Sequence, residues 1–402
     1  MPTVIPRRDY LFYPGEARHI LGALLSGRVA RGDAVARFER AFGELMGARH
    51  AIATATGRQG MELLLEAHGL EPGDEVIVPA YTLMDLLALL EYHGLAPVPV
   101  DVRADSFTLD PSLLEAAVTR RTRAVIACHL FGLPFDVDAV RAVCARHDLV
   151  LIEDCAHAAG ATYKGAPVGA LGHGGFFSLE VIKPVNCFGG GVITTNDDAV
   201  AEHCRRRLET FPVPAWPVLK KIILACGEQA VLRSPVFGPM VGMMGHGWTK
   251  ALLTKVYLGT HAATRADDTR LTNVQGRVGM AQLPGLAARN RRRADLARRI
   301  RERLDPGITV QRADYPCESV SYFFVAHTGV DAARLRPILL REGIDVGVGH
   351  EITDDCGRDP DRFPVTADLT RSAIQVPLYP RLHGYQADRI AAAINRCVAR
   401  LR

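Results

Sequence analysis

Residues 51–102 read AIATATGRQGMELLLEAHGLEPGDEVIVPAYTLMDLLALLEYHGLAPVPVDV, and this stretch decides the fold class. Short apolar runs such as AIATA and DEVIVPAYT alternate in it with amphipathic segments such as GMELLLEAHGL and LMDLLALLEYHGL. Strand-like and helix-like segments in alternation are typical of a parallel sheet covered by helices. The alternation continues to about residue 200 and indicates about seven strands. We therefore predict a large α/β domain.

Two changes of pattern divide the rest of the chain. After residue 285 an arginine-rich amphipathic stretch is followed by further strand-like and helix-like segments. We predict a large domain over residues 1–285 and a smaller C-terminal α/β domain over residues 286–402. Residues 213–261 interrupt the large domain with both tryptophans and four of the six lysines of the chain. This shift in composition indicates an apolar insertion.

Composition excludes several classes of protein. The 402 residues are 48% hydrophobic and 23% charged, as in a globular domain, and the net charge of +4 is too small to indicate a nucleic-acid partner. The nine cysteines contain no C-x-x-C pair, which argues against a disulfide framework and against a structural metal site. The N-terminus lacks the apolar segment of a signal peptide, and no apolar run reaches the length of a membrane span. We expect a cytoplasmic protein.

Two side chains in the large domain point to chemistry. The run LVLIEDCAHAAG, residues 149–160, ends an apolar strand with Glu153 and Asp154. A carboxylate at the carboxyl end of a parallel strand lies where α/β sheets bind ligands, and it can hold a protonated ring nitrogen. A helix cap or a surface loop would explain these acids equally well. Alternation along the strand sends the two side chains to opposite faces, so only one of them can serve such a site.

The second side chain is Lys183, in FFSLEVIKPVNCFGGGVITT, residues 176–195. An isolated lysine usually lies on the solvated surface. This chain, however, uses arginine for 42 of its 48 basic residues, and Lys183 has apolar neighbours. An amine that attacks a carbonyl group must lose its proton, which lysine can do and arginine cannot. The setting therefore indicates a reactive lysine.

Taken together, these blocks resemble the DegT/StrS family of pyridoxal-5′-phosphate (PLP) dependent sugar aminotransferases. The resemblance begins at GRVARGDAVARFERAFGELMGARHAIATATG, residues 27–57, and continues through GDEVIVP, EDCAHA, the Lys183 block and VPLYP in collinear order. It implies the PLP-dependent transferase fold of type I, with a large, mainly parallel seven-stranded sheet. It also implies a homodimer in which each active site is completed by the partner subunit.

The resemblance assigns roles to individual residues. Lys183 would hold PLP as a Schiff base and later move a proton as a base, Asp154 would pair with the pyridine nitrogen, and His157 would lie beside the ring. The phosphate group would be bound by the Ser178 hydroxyl. It would also be bound by a helix N-terminal turn at the positions Gly57, Arg58 and Gln59.

Other positions depart from the family pattern. Arg58 replaces a threonine, and Leu83 replaces an aromatic residue that stacks on the cofactor, so Tyr81 or His157 would supply that stacking if it is kept. Gly189 replaces a glutamate. In the segment that reaches the phosphate of the neighbouring subunit, Asp268 replaces an asparagine, which leaves Arg270 as the better phosphate candidate. Tyr81 and His350 are candidates for substrate binding, although a polar loop would also explain His350.

The implied reaction moves an amino group, from glutamate, to the keto group of a nucleotide-linked deoxysugar or a related ketone. Two alternatives stay open. The first is a lipid-linked or otherwise hydrophobic ketone at a membrane surface, reached through peripheral contact of residues 213–261. The other interpretation of this insertion is that it enlarges the dimer interface. The second alternative is a non-catalytic PLP-binding regulatory protein on the same scaffold.

Overall fold

In the computed structural model, the described residues are 4–9, 15–234, 268–353 and 355–402. The main sheet has seven strands in the order β1-β9-β8-β5-β4-β2-β3. All neighbours pair in parallel except β9, which is antiparallel to both β1 and β8. The predicted seven-stranded, mainly parallel sheet is confirmed. Its strands are β1 (His50–Thr54), β2 (Glu75–Pro79), β3 (Ala96–Val100), β4 (Thr122–Cys128), β5 (Val150–Asp154), β8 (Gly174–Ser178) and β9 (Gly191–Thr195).

Both faces of this sheet are buried, which is why its strands are almost continuously apolar. Along β4, Ala124 and Ile126 pack into one core while Val125 and Ala127 pack into the core on the opposite face. This alternation follows from the two-residue period of a strand. The covering helices in the described residues up to 209 are α1 (Glu16–Leu25), α2 (Ala34–Met46), α3 (Gly57–Ala67), α4 (Met84–Tyr92), α5 (Leu114–Ala117), α6 (Val137–Arg146) and α7 (Asp198–Glu209).

A second sheet lies in the C-terminal part of the chain. Its four strands are antiparallel, in the order β10-β12-β14-β13. They span β10 (Thr309–Val310), β12 (Phe324–His327), β13 (Gly347–Val348) and β14 (Ala373–Val376). The described helices around them are α10 (Leu286–Arg301), α11 (Ala332–Arg341), α12 (Pro364–Ser372) and α13 (Gly384–Ala399). A small third sheet joins β11 (Cys317–Glu318), β6 (Thr162–Tyr163) and β7 (Ala166–Pro167).

Two segments connect the large and small sheets. Helix α10 places Leu286 in the core of the large sheet, whereas Leu296 and Ile300 lie in the core of the small one. The N-terminal residues 4–9 also lie against the small sheet, since Ile5 is buried in its core and bridges Ile344. We call residues 4–9 the N-terminal strap. The first described residues thus lie on the small sheet, and the described chain enters the large one only afterwards.

The first part of the insertion forms helix α8 (Ala215–Arg233), and helix α9 (Asn273–Gln282) follows the gap in the described residues. One face of α8 buries Val218, Ile222 and Ala225 against α1 and α9. The part of the insertion from 235 to 261 lies outside the described residues. None of the helices that the structure describes is both long and apolar enough to cross a membrane.

Candidate active site

The carboxyl ends of β4, β5 and β8 meet at one edge of the large sheet, where Asp154 is the last residue of β5. The Asp154 carboxylate is partly buried and accepts a hydrogen bond from the N–H of Ala156 at 2.9 Å. Burial raises its pKa, while that hydrogen bond and the positive charge of Lys183 oppose the rise. The Asp154 carboxyl group is therefore poorly solvated and lies near the positive charge of Lys183.

The Glu153 side chain points to the opposite face of β5, where both of its carboxylate oxygens accept hydrogen bonds. It is fully buried, and its two oxygens accept hydrogen bonds from His129 Nε2 at 2.9 Å and from the backbone N–H groups of Gly169, Leu171 and Gly172. Burial alone would raise its pKa, but these hydrogen bonds outweigh burial and lower it. Glu153 is fully used in holding the end of β5, which leaves Asp154 as the carboxylate of this pair that faces Lys183.

His129, Glu153 and Cys155 also place possible metal-ligand atoms within 4.8 Å of one another. The backbone N–H of Phe135 donates to Nδ1 of His129 at 3.4 Å, so Nε2 carries the proton that Glu153 accepts. Burial raises the pKa of the Cys155 thiol well above its ordinary value, which disfavours the thiolate that binds metals. The hydrogen bonds of His129 and Glu153 show that this cluster holds the ends of β4 and β5 in place.

Lys183 lies five residues beyond the end of β8, in a turn closed by a hydrogen bond from its N–H to the Glu180 carbonyl at 2.8 Å. Its side chain is partly buried, and Nζ lies 5.3 Å from the centre of the Tyr322 ring. Burial lowers the pKa of the Lys183 amine to about 8, although the carboxylates of Asp154 and Glu180 act in the opposite direction. A lysine with this pKa has a far larger uncharged fraction near neutral pH than an ordinary lysine, and that fraction can act as a nucleophile.

The N-terminus of α3 approaches the end of β8 closely. A Cβ atom added to Gly57 would lie 3.3 Å from Cβ of Ser178 and 3.3 Å from the carbonyl oxygen of Phe177. Because Gly57 has no side chain, the N-terminus of α3 can lie directly beside Ser178. A helix N-terminus next to a hydroxyl group suits a phosphate, because free N–H groups and the helix dipole both favour an anion.

Gln59 and Arg58 occupy this turn differently. The N–H of Gln59 donates to the Thr56 side chain at 3.0 Å, and its side-chain amide donates to the Thr269 carbonyl at 3.1 Å. Gln59 thus serves the helix cap and the 268–272 segment. Arg58 is partly buried and acts electrostatically on Glu62, one turn further along α3.

The 268–272 segment lies across the start of α3 in the same chain, through the contact of Thr269 with the Gln59 side chain. Asp268 is exposed and its charge acts on Glu62. Arg270 is partly buried, and its N–H donates to the Pro212 carbonyl at 2.9 Å. The structure therefore brings Thr269, the neighbour of Arg270 in the chain, to the helix end that the resemblance assigns to phosphate binding.

His157 belongs to an aromatic cluster beside Lys183. Its ring stacks on Tyr322 with centroids 4.6 Å apart, and its Nδ1 accepts a hydrogen bond from the N–H of Phe131 at 3.3 Å. Burial lowers the pKa of His157 well below its ordinary value, and the charge of Lys183 lowers it further. His157 is therefore an uncharged ring near the amine.

The two substrate candidates differ in burial. Tyr81 is fully buried and packs edge-on against Phe131, with centroids 6.2 Å apart. His350 is exposed in a 3-10 turn, Gly349–Glu351, two residues before Ile352, which packs in the same cluster as Tyr81. Leu83 is 38% exposed at the start of α4.

The missing glutamate at Gly189 has a structural counterpart. Gly189 has a φ of 115°, and a Cβ added there would lie 3.1 Å from Nζ of Lys221 and 3.6 Å from Oε1 of Glu180. Lys221, on α8, donates to Glu180 at 2.7 Å. The space next to Gly189 is thus filled by an ion pair that the insertion helix completes.

Sequence reasoning missed Tyr322, which contacts both Lys183 and His157. Tyr322 precedes β12 in the run SYFFVAH, which reads as an ordinary strand of the small domain. It also missed Arg8 of the N-terminal strap, whose charge acts on Lys183. Both residues come from segments remote in sequence, and no local motif signals them.

Comparison with known proteins gives the context for this geometry. A sequence model of the DegT/DnrJ/EryC1/StrS aminotransferase family matches residues 15–395. Among solved structures, DesV from S. venezuelae, in complex with a ketimine intermediate, is 28% identical with a TM-score of 0.78, covering 99% of this chain and 100% of that one. DesI in the presence of its TDP-sugar product is 25% identical with a TM-score of 0.77, covering 100% and 94%.

An aminotransferase of the same family from Brucella abortus is 26% identical with a TM-score of 0.75, and the match covers 94% of each chain. The family match extends over nearly the whole sequence, and the large sheet has the seven, mainly parallel strands predicted for a fold type I enzyme. The chain therefore belongs to the DegT/DnrJ/EryC1/StrS aminotransferase family and is a PLP-dependent aminotransferase.

Proposed function

We propose that this enzyme transfers the amino group of glutamate to the keto group of a nucleotide-linked deoxysugar. The observation that carries the proposal is the convergence of three features at one sheet edge: the Lys183 amine, the Asp154 carboxylate and the α3 N-terminus beside Ser178. These features match the three functional ends of PLP. The similarity to DesI and DesV, one solved with a TDP-sugar product and the other with a ketimine intermediate, favours a sugar as the acceptor.

The residues present fit the cofactor. Asp154 would accept a hydrogen bond from the pyridine nitrogen, and Ser178 with the first N–H groups of α3 would hold the phosphate. When bound, PLP supplies an electron-poor ring that stabilises negative charge at the substrate carbon next to nitrogen. The Lys183 amine would accept the proton from that carbon at Nζ, which its lowered pKa allows near neutral pH. Neutral His157 would face the ring without repelling Lys183.

The direct test follows nitrogen from donor to acceptor. The purified enzyme is incubated with ¹⁵N-labelled glutamate and, in turn, with keto-sugar nucleotides, cyclitol ketones and acyl ketones. The proposal expects labelled amine on a sugar nucleotide. Label that appears only on a cyclitol or an acyl ketone would place the enzyme with other acceptors. Absence of transfer from every amino donor would support the non-catalytic alternative.

The pH dependence of cofactor capture should report the lowered pKa of Lys183. Only the unprotonated amine attacks the aldehyde, so the capture rate of cofactor-free enzyme should rise about tenfold per pH unit below 8 and level off above it. An ordinary lysine would keep accelerating towards pH 10.5. Stopped-flow absorbance measures the rate, and N-acetyl-lysine amide under the same buffers corrects for ionisation of the cofactor. A rate still rising between pH 9 and 10 would contradict the lowered pKa.

We further propose that the enzyme is a homodimer and that the outward face of α8 contributes to the interface. This face exposes Trp216 by 71%, Ile223 by 65% and Leu224 by 45%. Their spacing puts them on one side of the helix, opposite the buried Val218 and Ile222. Such an apolar stripe on a protein surface marks a contact with another molecule, and a second copy of a family member is the natural partner.

The double substitution Ile223→Glu with Leu224→Glu should weaken dimerisation by about 100-fold or more, because it buries two charges per subunit. Sedimentation velocity over a range of protein concentrations measures the change. Tyr385→Glu, at a site 68% exposed on α13, is the matched control and should leave the dimer intact. A dimer unaffected by the double substitution would contradict the interface. Loss of binding to anionic liposomes in the double variant would instead support the hydrophobic-acceptor alternative.

A further inference from the structure

The N-terminal strap is held at several points. The N–H of Ile5 donates to the Gly343 carbonyl at 2.8 Å, and its carbonyl accepts from the N–H of Asp345 at 3.1 Å. Arg7 forms an ion pair with Glu351 next to His350. Asp9 accepts a hydrogen bond from Gln229 of α8 at 2.8 Å. The strap therefore spans from the small sheet to the insertion helix with a fixed course.

Arg8 lies between these two anchored side chains, and its charge reaches the active site. Burial is the main reason for the lowered pKa of Lys183, and the positive charge of Arg8 lowers it further. Burial likewise raises the pKa of Tyr322, and the charges of Arg8 and Arg293 oppose that rise. The Arg8 guanidinium group is therefore close enough to act electrostatically on both Lys183 and Tyr322.

Tyr322 provides an independent sign of a ligand. Its side chain is 4% exposed, and its hydroxyl has no hydrogen-bond partner among the residues that the structure describes. Burial keeps this hydroxyl protonated, so it is a donor without an acceptor. Leaving a buried donor unsatisfied is unfavourable, and native proteins usually place one where a ligand or an ordered water supplies the acceptor.

We propose that Arg8 and the Tyr322 hydroxyl form a subsite for the carboxylate of the amino donor. Charge-assisted hydrogen bonds from a guanidinium group and a hydroxyl suit a carboxylate. Because this subsite lies close to Lys183, we assign it to the amino donor and not to the keto-sugar acceptor. In an amino acid the α-carboxylate is bonded directly to the carbon that loses its proton to Lys183, whereas the diphosphate of a sugar nucleotide lies several bonds from the keto carbon. The inference rests on the proposed transamination but names residues that it does not require.

The subsite makes the two half-reactions respond differently. Arg8→Gln should raise the KM for glutamate in the donor half-reaction by about 10- to 100-fold with a smaller change in kcat, because one charged contact to the donor is lost. Tyr322→Phe should raise it by a smaller factor, and Arg8→Lys should recover part of the affinity. Amination of a keto-sugar nucleotide by the pyridoxamine form should change much less than the donor half-reaction in all three variants, because that acceptor has no carboxylate to place there.

Calorimetric titration of the holoenzyme with glutarate tests the subsite without turnover. The wild type should bind this dicarboxylate, Arg8→Gln should bind it about 10- to 100-fold more weakly, and Arg7→Gln should bind it like the wild type. Equal binding by Arg8→Gln and the wild type, or an equal loss in Arg7→Gln, overturns the subsite. The enzyme could also bind glutarate through Arg8 and yet transfer no nitrogen from glutamate. That result would support the subsite and contradict the proposed function.

Discussion

Lys183→Ala is expected to eliminate the borohydride-reducible linkage to PLP and to slow transamination by at least about 10²- to 10⁴-fold, the range associated with losing a positioned proton-transfer group. The substitution removes both the amine that attaches the cofactor and the base that accepts the substrate proton. Peptide mapping by mass spectrometry after borohydride reduction locates the linkage, and single-turnover absorbance measures the half-reaction with glutamate. The variant should remain folded, because a partly buried amine with a lowered pKa contributes little to stability.

Lys164→Ala is the matched control. Lys164 is the other lysine within the α/β framework before the insertion, and its ammonium group forms an exposed ion pair with Asp138 at 2.6 Å. Exposed pairs of this kind contribute little, so the variant should keep both the linkage and the activity. A reduced adduct on Lys164 in the wild-type enzyme would refute the assignment of Lys183.

Asp154→Asn is expected to preserve attachment of the cofactor while slowing the half-reaction with glutamate by about 10²- to 10³-fold, the range for losing one preorganised electrostatic contact. An amide cannot stabilise a proton on the pyridine nitrogen as a carboxylate does, and an unprotonated ring withdraws electrons poorly. The absorbance spectrum checks attachment, and rapid mixing with glutamate measures the rate. The side chains have nearly the same volume, so the packing around β5 is retained.

Glu153→Gln separates the two neighbouring acids. Because Glu153 is fully buried and accepts four hydrogen bonds, this change should lower thermal stability through loss of the charge-assisted bonds, with a smaller effect on the half-reaction. A near-normal half-reaction in Asp154→Asn, combined with a severely slowed one in Glu153→Gln, would show that Glu153 holds the ring nitrogen.

Local periodicity was enough to predict the large sheet and the divergence of Glu153 and Asp154. A strand has a two-residue period wherever it lies, so adjacent side chains must face opposite cores. The identity of the partners was not predictable in this way. The hydroxyl of Tyr322 and the charge of Arg8 arrive from segments hundreds of positions away from each other, and their approach to Lys183 depends on how the small sheet and the strap pack.

Departures from the family pattern show the same limit. From the sequence alone, Gly189 marked only the replacement of a glutamate, with no role assigned to that change. The structure places Glu180 and Lys221 next to it, so a carboxylate is present near that position but comes from nine residues earlier. The sequence shows that position 189 has changed. Only the structure shows that Glu180 and Lys221 of α8 fill the space beside it.

The ion pair of Lys221 with Glu180 beside Gly189 ties the insertion helix to the loop that carries Lys183. Any side chain at position 189 would be strained by the φ of 115°, and its Cβ would lie 3.1 Å from Lys221 Nζ, so a relative with glutamate there needs a different loop conformation beside this helix. Homologues that carry this helix should therefore also carry glycine at 189 and an acid at 180. Grafting the insertion onto another aminotransferase should succeed only when the loop is transferred with it.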